Sequence, residues 1–252
     1  MALKAITFDL WDTVLKDDSD EPKRKAKGLK TKSEERRQVL WEALNEQAPT
    51  DKSMVDTEFQ TQEKFYRERW LRERVTPNVA DRLAVLLGGM DRELPGHVFD
   101  QLVSIYEDME VEIPPDIFAG AADGLDELAG KFPLGVVSDT IYTPGSGMRT
   151  ILEGYGVRQC FSSFAFSDEI GRAKPNERIF AHVANELDVE FHEMVHIGDR
   201  ELNDVQGAQA LGMKAILFTE HRDESLENGT EADAAAKNYD ELLSVINNLA
   251  AD

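Results

Sequence analysis

The amino-acid sequence predicts an α/β fold, with a Rossmann-like, doubly wound parallel sheet as its core and an all-helical cap domain inserted into it. Two observations lead to this prediction. Five short apolar runs alternate with helical patterns, as they do in parallel sheets joined by crossover helices. The stretch 16–115, which follows the first run, contains helical patterns only and interrupts this alternation.

Each predicted strand is a short run rich in β-branched and aromatic residues, which is typical of strands buried on both faces of a sheet. The five strands are predicted at residues 3–10, 134–137, 163–166, 195–197 and 214–218. Helical patterns accompany the later strands at residues 124–129, 144–153, 176–187 and 203–211. Parallel neighbours with right-handed crossovers follow from this order.

The inserted stretch contains four predicted helices, at residues 33–47, 51–72, 78–87 and 95–110. Phe59, Phe65, Tyr66 and Trp70 recur at helical spacing in the second of these, which predicts packing in a hydrophobic core. Two consecutive prolines, Pro114 and Pro115, then end the stretch. The predicted domains are therefore a core of residues 1–15 plus 116–252 and a helical cap of residues 16–115.

Charge and composition exclude several classes of function. The formal net charge of −21 disfavours binding to nucleic acid or anionic membranes. No apolar stretch approaches the roughly 20 residues of a membrane span, and the single cysteine cannot form an internal disulfide, so we expect a cytoplasmic protein. The basic run 23–32 is predicted to be a mobile, solvated linker, and steering of an anionic substrate is the less favoured alternative. Nothing in the sequence indicates the oligomeric state.

Polar side chains follow the predicted strands at the points where these strands end. In an open α/β sheet, ligands gather beyond the carboxyl ends of the strands, so we expect these side chains to share one edge. They are Asp9, Trp11, Asp12 and Thr13 after the first strand, Ser138 and Asp139 after the second, Arg172 and Lys174 after the third, and Asp199 and Asp204 after the fourth.

This set of residues suits phosphoryl transfer, which depends on positioning and on neutralisation of charge. Asp9 is predicted to attack phosphorus and to form an acyl phosphate that water hydrolyses. Because a carboxylate repels a phosphate, Mg²⁺ is needed between them, with Asp9 and Asp199 as ligands and Asp204 orienting metal-bound water or its neighbours. Lys174 would offset the charge between the nucleophile and the phosphate, and Ser138 would hydrogen-bond a phosphate oxygen.

Four motifs in this chain resemble, in order and spacing, those of the haloacid dehalogenase superfamily of phosphatases and related hydrolases. They are FDLWDT, VVSDT, GRAKPNERIF and HIGDRELNDVQGA. The resemblance covers about residues 1–15 and 116–220, and the helical insert occupies the place of the mobile cap in that superfamily. It implies Asp9 as the nucleophile, Ser138 and Lys174 at the phosphate site, and Asp199 and Asp204 at a Mg²⁺ site to which the Trp11 carbonyl adds a ligand. The implied substrate is a small phosphorylated metabolite.

Further polar residues near these motifs have two interpretations each. Asp139 and Arg172 are candidates for substrate binding, although Asp139 could cap the following turn and Arg172 could be a solvated loop residue. Glu201 and Asn203 could support the metal-site loop or face solvent. His196 lies inside a predicted strand, so we expect a packed, hydrogen-bonded role in the core.

The first motif departs from the superfamily pattern, because Trp11 stands where phosphatases usually carry a second aspartate that protonates the leaving group. An indole donates one hydrogen bond and cannot act as a carboxylic acid. Asp12 could replace the acid, although turn chemistry is favoured for it. The leaving group could need no acid, or the chain could be a non-catalytic phosphate- or partner-binding protein. A dehalogenase is a third possibility, but retention of Asp199 and Asp204 favours Mg²⁺ and phosphate.

Overall fold

The computed structural model describes residues 3–221 and 229–251, and six parallel strands in these ranges form one sheet. The strands are β1 (Ala5–Phe8), β2 (Leu134–Ser138), β3 (Phe161–Phe166), β4 (Met194–Gly198), β5 (Lys214–Phe218) and β6 (Ala234–Ala236). Their order in the sheet is β3-β2-β1-β4-β5-β6. Strands β2 and β3 lie on one side of β1, and β4, β5 and β6 lie on the other. The topological switch point, where ligands bind in open α/β sheets, is therefore between β1 and β4.

The central strand β1 is buried along its whole length, and its register fixes the neighbouring strands. Phe8 lies opposite Val136 on β2 and opposite Ile197 on β4. The carboxyl ends of β1, β2 and β4 therefore meet at one edge of the sheet. The prediction of a doubly wound parallel sheet is confirmed.

All five predicted strands are present, and β6 is the one that the sequence analysis missed. Its three residues are all alanine, without the β-branched or aromatic side chains that indicate a strand. It forms because Ala236 pairs with Phe218 at the edge of the sheet. Tertiary pairing therefore overrides the local helical preference of alanine.

Helices cover both faces of the sheet. They are α6 (Ala121–Ala129), α7 (Gly145–Gly154), α8 (Ser167–Ile170), α9 (Glu177–Glu186), α10 (Gly207–Gln209) and α11 (Tyr239–Ala251). Leu125 of α6, Met148 of α7 and Ile246 of α11 belong to one hydrophobic cluster with Phe8, whereas Phe180 of α9 belongs to the cluster on the other face. The predicted helix 203–211 is instead a π-helical turn, Glu201–Gln206, followed by α10.

The inserted stretch, which we call the helical segment (residues 16–115), contains no strand, and all of its residues are described. Its helices are α1 (Asp20–Ala26), α2 (Lys32–Gln47), α3 (Lys52–Glu73), α4 (Val79–Gly89) and α5 (Gly96–Glu112). The side chains of Thr31, Asp51 and Asn78 accept backbone N–H bonds at the starts of α2, α3 and α4, so local caps define these boundaries. Four of the five helices were predicted.

The helical segment has a hydrophobic cluster of its own, to which Leu40, Phe59, Leu83 and Tyr106 contribute. The aromatic stripe on α3 is only partly in a core. Phe59 and Tyr66 are buried, but Phe65 is 49% exposed and Trp70 is half-buried, which corrects the prediction for these two residues. The division of the chain into a core and a cap stays a prediction.

The prediction of a solvated linker at residues 23–32 is wrong for part of the run, although residues 25–31 are exposed. Arg24 and Lys32 are buried, and α1 occupies part of the run. Arg24 pairs with Glu35, and the Lys32 Nζ lies 2.7 Å from an oxygen of Glu110. Acidic partners outside the run thus neutralise these two buried cations.

No helix in the described ranges combines the length and the apolar character of a membrane span. The predicted cytoplasmic location stays a prediction.

Candidate active site

Three carboxylates that are distant in the chain meet at the carboxyl edge of the sheet. Asp9 follows β1, Asp199 follows β4, and Asp204 lies in the π-helical turn beyond β4. One oxygen of each carboxylate lies within 4.8 Å of the others, and all three residues are buried. The topology therefore brings together the three acids that the sequence predicted for a metal site.

Lys174 lies between two of these acids and is only 2% exposed. Its Nζ is 2.8 Å from an Asp9 oxygen and 2.7 Å from an Asp204 oxygen. Burial by itself would lower the pKa of Lys174, but the carboxylates of Asp204 and Asp9 outweigh burial and raise it. The lysine is therefore a permanent cation within the acidic group.

Asp204 is held by three donors. One carboxylate oxygen faces the Lys174 Nζ and the His196 Nε2, at 2.7 and 3.1 Å, and the other accepts the Arg200 N–H at 2.9 Å. Burial would raise the pKa of Asp204, whereas Lys174 and the hydrogen bond from His196 hold it well below its usual range. A Cβ on Gly198 would lie 2.3 Å from the Asp204 carboxyl carbon, so this carboxylate position requires glycine there.

His196 has the packed, hydrogen-bonded role that the sequence predicted. It is fully buried, with its Nδ1 2.9 Å from the Thr7 hydroxyl and its ring edge-on to Phe180. Burial lowers the pKa of His196, which favours the neutral ring. A proton on Nε2 lets the ring donate to Asp204 while Nδ1 accepts from Thr7. His196 thus orients Asp204 from behind the site.

Ser138 and Asp139 end β2 on the same edge of the sheet, and their side chains differ in what they contact. The Ser138 Oγ is buried, and within the described chain it has no hydrogen-bond partner. It is therefore available to a ligand. Asp139 accepts the Lys174 backbone N–H at 2.8 Å, and burial, more than any other influence, raises the pKa of Asp139 to about 6. Its carboxylate holds the Lys174 loop in place.

The contacts of Arg172 and Trp11 do not include the three acids. The Arg172 guanidinium donates to the Gly171 carbonyl of its own loop at 3.0 Å. The Trp11 side chain is partly buried and packs against the hydrophobic cluster that contains Phe8. The metal-ligand role of the Trp11 carbonyl stays a prediction.

Asp12 has the turn role that the sequence favoured. It is buried, with a φ of 53°, and its Oδ1 accepts the Asp17 N–H at 3.0 Å. The same oxygen lies 3.1 Å from the His221 Nδ1. These contacts commit the side chain to the turn that follows Asp9.

Glu201 and Asn203 both support the turn that carries Asp204. Glu201 accepts the Thr230 hydroxyl at 2.7 Å and the Glu231 N–H at 2.8 Å, so it holds the turn against the chain before β6. Asn203 is buried, and its Oδ1 lies 3.4 Å from the Arg74 Nη1.

Three residues near this edge were missed by the sequence analysis: Trp70, Arg74 and Arg200. The Arg200 Nε is 3.9 Å from an Asp199 oxygen. Burial would lower the pKa of Arg200, but the nearby acids, Asp199 first, raise it. Arg200 directly follows Asp199, so its position was a usable signal. Trp70 and Arg74 come from the end of α3, and no spacing in the sequence connects them with the strand ends.

Comparisons with known proteins agree on one family. The chain matches the family model of haloacid dehalogenase-like hydrolases over residues 3–212. It is 34% identical over 100 residues to a glyceraldehyde 3-phosphate phosphatase of Methanopyrus kandleri, a match that covers 38% of this chain and 43% of that relative. The chain spans about half or less of the length of the curated relatives it matches.

Solved structures share the fold. A haloacid dehalogenase-superfamily phosphatase of Thermococcus onnurineus matches with a TM-score of 0.64 and 20% identity, covering 97% of this chain and 98% of that one. A 2-haloacid dehalogenase of Pseudomonas syringae pv. Tomato matches with a TM-score of 0.66 and 20% identity, covering 98% and 99%. At such identity the likeness shows the fold alone, and a phosphatase and a dehalogenase match equally well. The side chains of the site, and not the fold, distinguish the two reactions.

Proposed function

Because the chain belongs to the haloacid dehalogenase-like hydrolase family, we propose that it is a Mg²⁺-dependent phosphatase of a small phosphorylated metabolite. The observation that carries the proposal is the buried group of Asp9, Asp199 and Asp204, with Lys174 between two of its acids. These three acids meet at a sheet edge where ligands bind, and their oxygens lie close enough together to share one cation.

The three acids fit a hard divalent cation. Carboxylates gathered in a buried space repel one another, and oxygen ligands of this kind are those that Mg²⁺ prefers. Asp204 already accepts from three donors, so we assign direct ligation to Asp9, Asp199 and the Trp11 carbonyl, with Asp204 orienting Lys174. When bound, Mg²⁺ would neutralise the charge between the nucleophile and the phosphate.

Asp9 is the proposed nucleophile. Its carboxylate oxygen forms a bond to phosphorus while the bond from phosphorus to the leaving oxygen breaks. Water then attacks the phosphorus of the aspartyl phosphate, releases inorganic phosphate and restores Asp9. Lys174 and the Ser138 hydroxyl, which has no other partner in the described chain, stabilise the charge on the phosphoryl oxygens.

Trp11 narrows the proposed substrate range. General acid–base assistance is typically worth about 10²–10⁴ in rate, and here the indole packs in the core while Asp12 is held by its turn. Alkyl phosphates need a proton on the leaving alkoxide, whereas aryl and acyl phosphates need it much less. We therefore expect aryl or acyl phosphates to be hydrolysed faster than sugar phosphates.

We propose that the helical segment is the cap of this enzyme. Its hydrogen bonds to the sheet edge support this role, since Ala173 N–H donates to the Arg74 carbonyl and the Ser167 hydroxyl to the Thr76 hydroxyl. A cap in this position would exclude water and select the substrate.

The test is hydrolysis of phenyl phosphate by the purified chain with Mg²⁺, beside an Asp9→Asn variant. The two side chains have the same shape, so the variant removes the nucleophile with little change in packing. We expect activity in the native chain and a loss of at least about a thousandfold in the variant. Equal activity in both proteins would reject the proposal.

Restoring the acid tests the role of Trp11 separately. The Trp11→Asp variant should hydrolyse alkyl phosphates faster than the native chain does, with a much smaller gain for phenyl phosphate. Phenyl phosphate is the control, because its leaving group needs little protonation. An unchanged ratio of the two rates would show that the proton comes from another group.

The alternatives predict different results in the same assays. A dehalogenase would release halide from 2-haloacids without Mg²⁺. A non-catalytic binding protein would bind Mg²⁺ and phosphate but turn over no ester. Retention of the whole acid group, together with Lys174, favours the phosphatase.

A further inference from the structure

Two arginines and a tryptophan lie where the helical segment meets the sheet edge. The guanidinium carbons of Arg74 and Arg200 lie 5.6 and 5.8 Å from the centroid of the Trp70 ring. Trp70 and Arg74 belong to the end of α3, whereas Arg200 follows the metal-site acid Asp199. We call these three residues the arginine–tryptophan cluster.

Arg74 contacts both loops that carry the proposed active-site residues. It ends α3 in a left-handed conformation, with a φ of 54°, and its carbonyl accepts the Ala173 N–H at 2.8 Å. Its Nη1 lies 3.4 Å from the Asn203 Oδ1. Ala173 precedes Lys174, and Asn203 precedes Asp204, so Arg74 lies directly beside the site.

Neither guanidinium has a close carboxylate partner within the described parts of the chain. The carboxylate contact of Arg200 is at 3.9 Å, and the side-chain bond of Arg74 goes to an amide. By contrast, Arg82 lies 2.7 Å from a carboxylate oxygen of Glu63. Because a guanidinium has five N–H donors, Arg74 and Arg200 keep donors available for a ligand.

These donors are positioned for the leaving group of a substrate. The proposed phosphoryl site already has Lys174, Ser138 and the cation for the phosphoryl oxygens. The buried sheet fills the space behind Asp9, so the leaving group has to project from the edge towards the helical segment. The arginines of the cluster belong to that edge.

We propose that the arginine–tryptophan cluster binds a second anionic group on the leaving group, so that the enzyme selects small phosphate esters that carry a carboxylate or a second phosphate. Planar guanidinium forks pair with both anions in a bidentate manner, and stacking on an indole keeps them oriented. Two arginines around one indole supply positive charge on a chain whose formal net charge is −21. This inference rests on the proposed function.

The experiment compares three aryl phosphates with the same phenolic leaving atom: phenyl phosphate, 3-carboxyphenyl phosphate and 1,3-phenylene bisphosphate. We expect the native chain to favour at least one of the two anionic esters by about tenfold or more in kcat/KM, mainly through a lower KM. The Arg74→Met variant should abolish most of this preference, measured as the ratio of kcat/KM for the anionic esters to kcat/KM for phenyl phosphate. Arg200→Met should reduce the preference as well.

Arg72→Met is the matched control, because Arg72 is exposed on the same helix two residues before Arg74. It should keep the native preference. Arg74→Lys, which keeps the charge without the fork, should retain only part of it. A second measurement is product inhibition, in which 3-hydroxybenzoate should inhibit the native chain more strongly than phenol does and should lose this advantage in Arg74→Met.

The possible failures are distinguishable. Hydrolysis of phenyl phosphate that depends on Asp9, with no preference for either anionic ester, would overturn this inference and leave the proposed function standing. A preference that survives in Arg74→Met would overturn the role of the cluster. Preference for only one anionic ester would identify the anion. No hydrolysis of any of the three esters would overturn both proposals.

Discussion

Two buried lysines in this chain have similar surroundings and different expected roles. The Lys174 Nζ lies 2.8 and 2.7 Å from carboxylate oxygens of Asp9 and Asp204, and the Lys32 Nζ lies 2.8 and 2.7 Å from those of Asp20 and Glu110. Both lysines are nearly inaccessible to solvent. In both, burial would lower the pKa and the adjacent carboxylates raise it. Distance and charge alone do not separate a catalytic site from a structural one.

The difference lies in where the carboxylates come from and what else they contact. Asp9 and Asp204 follow parallel strands, and with Asp199 they form the one group of three acids in the described chain whose oxygens lie close enough for a shared cation. The acids around Lys32 are Asp18, which precedes α1, Asp20 of α1 and Glu110 of α5. Glu110 also accepts the Thr143 hydroxyl. Lys32 therefore ties three helices and the loop after β2 together. What indicates chemistry is a group of three carboxylates at the strand ends whose oxygens lie close enough to share a cation.

The largest expected effect that separates the two lysines is on catalysis. Lys174→Met should lower kcat/KM for phenyl phosphate by at least about a thousandfold, because it removes the cation beside both the nucleophile and the phosphate. Lys32→Met should change kcat/KM, measured per folded molecule, by less than about threefold. Comparable losses in the two variants would mean that the Lys32 cluster is part of the active site.

Thermal stability is the property that we expect the Lys32 substitution to change most. Removing one partner of a buried ion pair leaves unpaired charges and costs about 3–5 kcal/mol, so Lys32→Met should lower Tm by roughly 6–15 °C. Thermal unfolding followed by circular dichroism measures this change. Lys25→Met, in an exposed position of α1, is the control and should change Tm by less than about 2 °C. An unchanged Tm in Lys32→Met would show that the ion pairs of Lys32 with Asp20 and Glu110 do not stabilise the fold.

Mg²⁺ should distinguish the two regions without any assay of turnover. A cation at about one hundred times its Kd stabilises a protein by about 2.7 kcal/mol, which corresponds to a rise in Tm of roughly 5–10 °C. We expect this rise in the native chain and in Lys32→Met, and its loss in Asp199→Asn. Ca²⁺ and a chelator are the controls for specificity and for bound metal. A rise that survives in Asp199→Asn would place the cation elsewhere.

A smaller effect tests how Asp204 is positioned. His196→Leu removes one of its three donors and leaves the Thr7 hydroxyl without its ring partner, so kcat should fall by about tenfold with little change in KM. His196→Gln keeps a donor at similar reach and should recover part of kcat. If both variants lose stability to the same extent but only Gln recovers kcat, then His196 acts through Asp204. Equal kcat in the two variants would limit its role to packing.

The comparison also explains which parts of the molecule can be predicted from sequence. The strands, and with them the edge that gathers Asp9, Ser138 and Asp199, follow from apolar runs and from the rule for parallel sheets. The burial of Lys32 could not be predicted, because its partner Glu110 is 78 residues away and is brought close only by helix packing. A charge run is a local pattern, whereas the partner of Lys32 on α5 reaches it only through tertiary packing.

Contacts between residues distant in sequence also explain why Arg74 and Trp70 were not predicted at the site. Arg74 contacts Asn203 across 129 residues, and the half-buried state of Trp70 depends on how α3 ends against the sheet edge. Helical spacing placed Trp70 in a core because periodicity identifies a face of a helix and not its partner. The π-helical turn that carries Asp204 was predicted as an ordinary helix, since one additional residue in a turn leaves no mark in the hydrophobic pattern.

The smallest expected effect concerns the pKa of Asp17, a carboxyl whose charge is influenced by Lys32. Burial first, and then Asp18, Asp12 and Glu110, raise the pKa of the partly exposed Asp17 carboxyl from 3.8 to about 6, against the opposing effect of Lys32. Between these two pH values the folded chain binds the proton more tightly than the unfolded chain. The contribution of Asp17 to stability is therefore fully present below about pH 3.8 and is lost as pH rises through about 6.

The Asp17→Asn variant removes this dependence and should be more stable than the native chain at pH 7. A shift of this size corresponds to at most about 3 kcal/mol, and solvent screening of a partly exposed group reduces it to roughly 1 kcal/mol or less. Urea unfolding of both proteins at pH 7 and pH 4 measures the difference, which should shrink towards zero at pH 4. An equal difference at both pH values would show that Asp17 titrates normally. Lys32 would then fully offset the charges of the carboxylates near it. That result would strengthen the difference between the Lys32 region and the group of acids at the strand ends.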